Sequence, residues 1–171
     1  MKLLQRSVAL FALGIGCACA DPVPDKNPSP VDANCSCFFP GLQVGAFMSG
    51  YLPRGKDGES AAGGGVAFTY FFTEKIALEY SYSANATESQ MHINALDLVY
   101  RVPLPGDCLA PYVMGGGALF ANSENQGAYR LGGGVEYRFE NCIALFSDAT
   151  YNWIQQEPDA VNLRFGLRLP F

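Results

Sequence analysis

The chain has 171 residues, of which 49% are hydrophobic, 13% aromatic and only 16% charged, with 19 glycines and a formal charge of −5. That composition excludes a disordered chain and a coiled coil, and an acidic chain has no electrostatic reason to seek phosphate backbones, so nucleic acid is excluded as a partner. Length sets an expectation of one domain. The mean hydropathy is nevertheless only +0.08, so the apolar half of the residues must be interleaved with polar ones.

Residues 1–20 read as a secretory signal. Lys2 and Arg6 form the positive start, Val8–Ile15 is a short apolar run, and Ala18-Cys19-Ala20 is an A-x-A-like cleavage site. A retained helical anchor is the alternative, but the stretch is short for a span of about 20 residues. Lipidation at Cys17 or Cys19 is a second one, although Gly14 or Gly16 stands where a lipoprotein signal usually has Leu. Removal of the signal leaves nine basic against 16 acidic side chains, a net −7. Residues 21–37 form a proline-rich N-terminal segment whose Pro22, Pro24, Pro28 and Pro30 keep it out of a central strand.

Cys35, Cys37, Cys108 and Cys142 remain in the exported chain. An even number there points to disulfides, and four cysteines allow three connectivities. A Cys-x-Cys pair with two scattered cysteines fits tetrahedral metal ligation poorly.

From residue 38 onward the chain breaks into short runs of period two. The spacing predicts eight strands over roughly 38–51, 64–73, 75–84, 91–102, 108–121, 128–140, 142–154 and 161–171. The last is the cleanest, with Val161, Leu163, Phe165, Leu167, Leu169 and Phe171 on one face and Asn162, Arg164, Gly166 and Arg168 on the other. Between the runs, 73–75, 104–107 and 140–142 read as tight turns. Segments 54–63, 84–90, 122–127 and 155–160 read as longer polar loops. Strict alternation of short and long links implies an all-β, eight-stranded antiparallel up-and-down transmembrane barrel, occupying residues 38–171 with its long loops on one rim.

Period two does not say which face is buried. A soluble lipocalin-like barrel with an apolar interior would show the same pattern. The charges favour the inverted arrangement. Glu79, Asp97, Arg101, Arg130, Glu136, Arg138, Asp148, Arg164 and Arg168 all fall on the polar faces, with opposite signs in similar number, as a packed polar lumen requires. Gly132, Gly134 and Gly166 lie there too and are expected to make room for the arginines. Aromatics gather toward the strand ends: Phe38, Phe39, Phe71, Phe72, Tyr100, Tyr112, Tyr137 and Phe139 on the turn side, Tyr51, Tyr82, Tyr151 and Trp153 on the loop side. Two interfacial girdles are the expectation.

The run Ala110-Pro111-Tyr112-Val113-Met114-Gly115-Gly116-Gly117, followed by Leu131-Gly132-Gly133-Gly134-Val135-Glu136-Tyr137-Arg138-Phe139, resembles the small outer-membrane beta-barrel family. That family includes the opacity-type porins and the membrane domain of outer-membrane protein A, and the resemblance covers about residues 38–171. The terminal strand, with Phe165, Leu167, Leu169 and a final Phe171, looks like the signal read by the outer-membrane assembly machinery. The resemblance implies a place in the outer membrane of a Gram-negative-type cell. Outer-membrane lipid, lipopolysaccharide and the assembly machinery are the expected partners, and the barrel is expected to be a monomer. The proline-rich segment and the four cysteines depart from the family's usual pattern.

Candidate chemistry is sparse. His92 is the single imidazole. Ser89, three residues away, would point to the opposite face of an extended strand, and Gln90, on the same face, is no nucleophile. The Ser and His of barrels that remodel lipid A are not matched, and omptin-like proteolysis resembles a larger barrel. Gly63–Gly65 and Gly115–Gly117 lack the strand-to-helix context of a phosphate loop, so no cofactor is expected. An eight-stranded barrel is just wide enough for side chains to fill, so the charges read as a salt-bridged plug rather than a pore lining. The cysteines all map to the turn-side rim, which predicts Cys35 and Cys37 bridged to Cys108 and Cys142. The expected role is non-enzymatic, structural or surface-interacting. The loop 54–63 is the candidate contact for partners or lipopolysaccharide, its alternative being a solvated loop without one.

Overall fold

Alternating side chains form strands here because only a pleated backbone sends every second residue to the same face. The computed structural model of the protein describes residues 37–55, 60–86, 90–121, 125–139, 141–155 and 158–171. The expected signal segment and most of the proline-rich segment, with Cys17, Cys19 and Cys35, lie outside them, as does Ser89. Eight strands follow in order: β1 (Gly41–Pro53), β2 (Ala61–Phe71), β3 (Ile76–Asn85), β4 (Met91–Arg101), β5 (Leu109–Ala121), β6 (Asn125–Arg138), β7 (Ala144–Ile154) and β8 (Ala160–Pro170). Each pairs antiparallel with its neighbours, and β8 pairs with β1, so the sheet closes and no edge remains.

The register sets the width of the barrel. Starting at Gln43 and stepping from partner to partner leads through Thr69, Glu79, Asp97, Gly116, Arg130, Asn152 and Ala160 back to β1 at Pro53. The return point is ten residues beyond the start, a stagger that tilts the strands by roughly 40° for eight strands at ordinary spacings.

The described chain ends, Cys37 and Phe171, share one rim with the links 72–75, 102–108 and 139–143. The opposite, far rim carries 54–60, 86–90, 122–124 and 155–159. The expected alternation of short and long links does not hold: 102–108 is as long as 54–60, and 122–124 has three residues. Two features misled the reading. Leu104-Pro105-Gly106-Asp107 is indeed a tight turn, with the Asp107 N–H bonded to the Leu104 carbonyl and Gly106 at φ 80°, but β4 ends at Arg101 and β5 begins at Leu109, so the link also takes in Val102, Pro103 and Cys108. On the far side, β6 extends three residues earlier than expected, pairing Asn125 with Ala121.

Two other strand starts moved for physical reasons. β2 begins at Ala61, before the glycine triplet rather than within it. Phe38 and Phe39 precede β1 because the chain turns away at Pro40 and Gly41.

The apolar face looks outward. Leu96, Leu98, Val113, Leu119, Leu131, Leu163, Phe165 and Leu167 are exposed, whereas the polar faces line the lumen. The soluble, apolar-inside alternative is thereby overturned. The girdles are thinner than expected: Phe38, Phe71, Tyr112 and Tyr51 point inward and are buried. Phe39, Phe72, Tyr100, Tyr137 and Phe139 stand outside near the terminal rim, joined by Tyr70 and Phe171, and Tyr82 and Trp153 stand outside near the far rim.

The lumen glycines also have a different reason from the one expected. A Cβ on Gly132 would run into the Ala149 carbonyl, on Gly134 into that of Ser147, and on Gly166 into that of Ala46. Close approach of the neighbouring strand's backbone at the tight inner curve excludes a side chain, independently of the arginines. Gly132→Ala is expected to destabilise the barrel by about 1–3 kcal/mol through overpacking. Gly50→Ala, with nothing within 4 Å of the new Cβ, should be nearly neutral. Urea titration of the folded electrophoretic band measures both.

Candidate functional site

The strands gather every lumen charge into one column. All nine side chains named from the sequence, Glu79, Asp97, Arg101, Arg130, Glu136, Arg138, Asp148, Arg164 and Arg168, are buried. Glu136 is the hub, pairing with Arg101 at 2.9 Å, Arg138 at 2.7 Å and Arg168 at 2.8 Å. Arg168 continues to Glu79 at 2.6 Å, Glu79 to Arg164 at 2.9 Å, and Arg164 to Asp148 at 2.8 Å. Hydroxyls complete the carboxylates: Thr69 donates to Glu79 at 2.9 Å and Tyr112 to Asp148 at 2.6 Å.

Five arginines face four carboxylates, and aromatic rings take up part of the cationic excess. Arg101 lies 3.7 Å from the Phe71 ring centroid, Arg168 4.3 Å from Phe146 and Arg164 5.2 Å from Phe47. Arg130 and Asp97 stand apart from the other seven charges. Arg130 Nε is 3.2 Å from Asp97 Oδ1, and neither carboxylate oxygen of Asp97 accepts a protein hydrogen bond. Asn152 Oδ1, Asn162 Oδ1 and Asn85 Nδ2 are likewise buried without a protein partner, so this middle layer calls for water.

Cys37 and Phe38 pack across the terminal mouth. Cys37 is disulfide-bonded to Cys142 across 105 residues of sequence. Its carbonyl accepts from Arg138 Nη1 at 2.6 Å, and Phe38 packs beneath Arg101 and Arg138 at 4.8 and 5.0 Å. Cys108 is also disulfide-bonded, while Cys35 lies outside the described residues. Peptide mapping without reductant is expected to recover Cys37 joined to Cys142, and Cys108 joined to a cysteine that precedes Cys37, with Cys35 the nearest in the chain. A free Cys108 thiol in exported protein would contradict this.

The far mouth is apolar, which the sequence reading missed. Tyr51, Met91, Ile93, Phe120 and Ile154 form one buried cluster with the alanines 61, 95, 118, 128 and 160, and the Tyr51 and Phe120 rings lie 6.2 Å apart. The signal was present, because Met91 and Ile93 share parity with Asp97 and Arg101 in β4. Polarity alone does not mark the lumen, because these apolar side chains share its face.

His92 lies on the outer wall near the far end of β4. Its ring stacks on Tyr82, with Nδ1 2.8 Å from the Tyr82 hydroxyl. Phe165, Leu167, Leu169 and Phe171 are exposed along the outside of the last strand. Of the loop named as 54–63, Ala61–Gly63 belong to β2, and residues 56–59 lie outside the described ones.

Removing the hub should be costly, because each of its arginines would be left with less compensation in a dry site. Glu136→Gln is expected to lose about 3–5 kcal/mol. The poorly aligned pair behaves differently: Asp97→Leu together with Arg130→Met should be close to neutral, whereas Asp97→Leu alone should destabilise. Urea midpoints of the single and double variants check both.

The sequence profile of the family described as "Outer membrane protein beta-barrel domain" matches residues 10–171. No curated protein matches the chain. Among solved structures, Neisserial surface protein A superposes with a TM-score of 0.65 at 15% identity, covering 77% of this chain and 97% of that one. The N-terminal barrel domain of Pseudomonas aeruginosa OprF gives 0.56 at 22% identity, covering 76% and 99%. Ail, the attachment invasion locus protein of Yersinia pestis, gives 0.54 at 12% identity, again covering 76% and 99%. These likenesses establish a shared fold. With the profile match across nearly the whole chain and an apolar-out, polar-in closed wall, the protein belongs to the outer membrane protein beta-barrel family and resides in the outer membrane.

Proposed function

We propose that this protein is a closed, non-enzymatic barrel that holds surface loops in the outer membrane rather than conducting solutes. The observation that carries this reading is the filling of the lumen along its length by side chains: charge network, polar layer, then apolar cluster. An ion that passed the arginines would have to shed its water at Tyr51, Ile93 and Phe120, and an apolar constriction opposes that. The terminal rim faces the periplasm in this reading. The segment before Cys37 carries Asp21, Asp25, Lys26 and Asp32, and sending those charges through hydrocarbon would be expensive. The far-rim links are then the surface available to lipopolysaccharide or to other partners. The exposed Phe165, Leu167, Leu169 and Phe171 would serve as the assembly signal.

Two measurements test the proposal. Reconstituted protein in a planar bilayer is expected to give no stepwise conductance, and steady ion-selective steps would refute the closed lumen. An epitope placed in the 54–60 link should be reached by antibody on intact cells. Labelling that requires a permeabilised outer membrane would reverse the orientation.

A further inference from the structure

The charges of the lumen do not cancel. Among the described residues, five buried arginines face four buried carboxylates. One positive charge is left over, and the pairing shows where. Arg130 pairs with Asp97, Arg164 with Asp148 and Arg168 with Glu79. Arg101 and Arg138 then share Glu136, which both reach through the same oxygen, Oε1, at 2.9 and 2.7 Å. These two arginines close β4 and β6, so the excess sits at the terminal end of the lumen. Phe71 and Phe38 lie 3.7 and 4.8 Å from Arg101, yet a ring face carries a quadrupole and no net charge.

The same end holds donors with nothing to donate to. Arg101 Nη2, Gln43 Nε2 and Arg168 Nε find no acceptor among the described residues, and these side chains are 0%, 1% and 1% exposed. They belong to one hydrogen-bonded chain. Gln43 Oε1 accepts from Arg138 Nη2 at 2.9 Å, and Arg138, Arg101 and Arg168 all donate to Glu136. Unmatched donors and an unmatched charge thus coincide. Water could take the hydrogens but cannot supply the charge, and a buried charge is costly until it is paired.

We propose that one small monovalent anion, chloride in physiological salt, binds within this layer and accepts from Arg101 Nη2 and Gln43 Nε2. One unit of charge completes the balance, whereas a divalent anion would reverse it. Cys37 and Phe38 lie across the mouth and are themselves buried, which favours a compact ion over an organic acid. The site does not depend on which rim faces the periplasm, nor on whether the far mouth conducts. The anion is a counter-ion of the fold.

The test uses the oxidised chain extracted from outer membranes in mild detergent, with urea unfolding followed by loss of the heat-modifiable band. Sodium chloride replaces sodium gluconate at constant ionic strength, so that screening stays fixed. Once chloride exceeds its dissociation constant, the parent's folded-to-unfolded ratio should rise about tenfold for each tenfold in chloride. Gln43→Glu keeps an acceptor for Arg138 and brings the missing negative charge, so its ratio should not respond. Arg101→Met removes the excess charge instead and is read in its place, with the same flat response expected, should Gln43→Glu not fold. Lys75 is exposed on the same rim, and Lys75→Gln should respond as the parent does. Crystals grown with bromide should show an anomalous scatterer within hydrogen-bond reach of Arg101 and Gln43. A parent indifferent to chloride, as a carboxylate of the chain itself in that place would make it, would overturn the proposal. So would a folded Gln43→Glu or Arg101→Met chain that responds as the parent does, or bromide confined to other positions.

Discussion

In hydrocarbon no water is available to bond an unpaired backbone group, so a sheet that crosses a membrane must close on itself. Here closure takes eight strands and a ten-residue stagger, and these two numbers set how wide the lumen can be. Much of the interior follows from that width. The wall curves so tightly that Gly116, Gly132, Gly134 and Gly166 have no space for a Cβ. Side chains from opposite strands meet across the axis, which is how Arg168 on β8 reaches Glu79 on β3 at 2.6 Å.

A narrow polar interior imposes a second condition, that charges taken from water be compensated in place. Glu136 meets this near the terminal rim by serving three arginines, and the aromatic rings of Phe71, Phe146 and Phe47 accept part of the excess positive charge. The N-terminal segment takes part in the same site through the Cys37 carbonyl and Phe38. Its disulfide closes a loop of 105 residues, a constraint on the unfolded chain of about 4–5 kcal/mol on the chain-entropy account. The latch and the charge network therefore stabilise the same end of the barrel. The far end relies on apolar packing instead.

The parts of this arrangement that were legible in the sequence were those written in single-strand periodicity. Leu163, Phe165 and Leu167 alternate with Arg164, Gly166 and Arg168 whatever their neighbours are, and the two faces of a strand follow from that alone. The parts misread were those that depend on another strand. Phe71, Tyr112 and Tyr51 looked like girdle residues because an aromatic near a strand end carries no mark of which face it occupies until the register is known. The link 102–108 looked short because its central turn is written in the sequence, while where β4 and β5 stop is set by their pairing. Arg130 and Asp97 were grouped with the other charges, since nothing local distinguishes an aligned ion pair from a loose one.

By itself the sequence determined the class of fold, the number of strands and which face of each strand meets lipid, because period two, turn chemistry and the placement of charge are local properties of the chain. Tertiary structure decided the rest: which arginine meets which carboxylate, that Cys37 joins Cys142, and that an apolar cluster closes the far mouth. Each of these is a meeting between residues far apart in sequence. They are brought together by the stagger of a closed sheet, which appears only when the eighth strand pairs with the first.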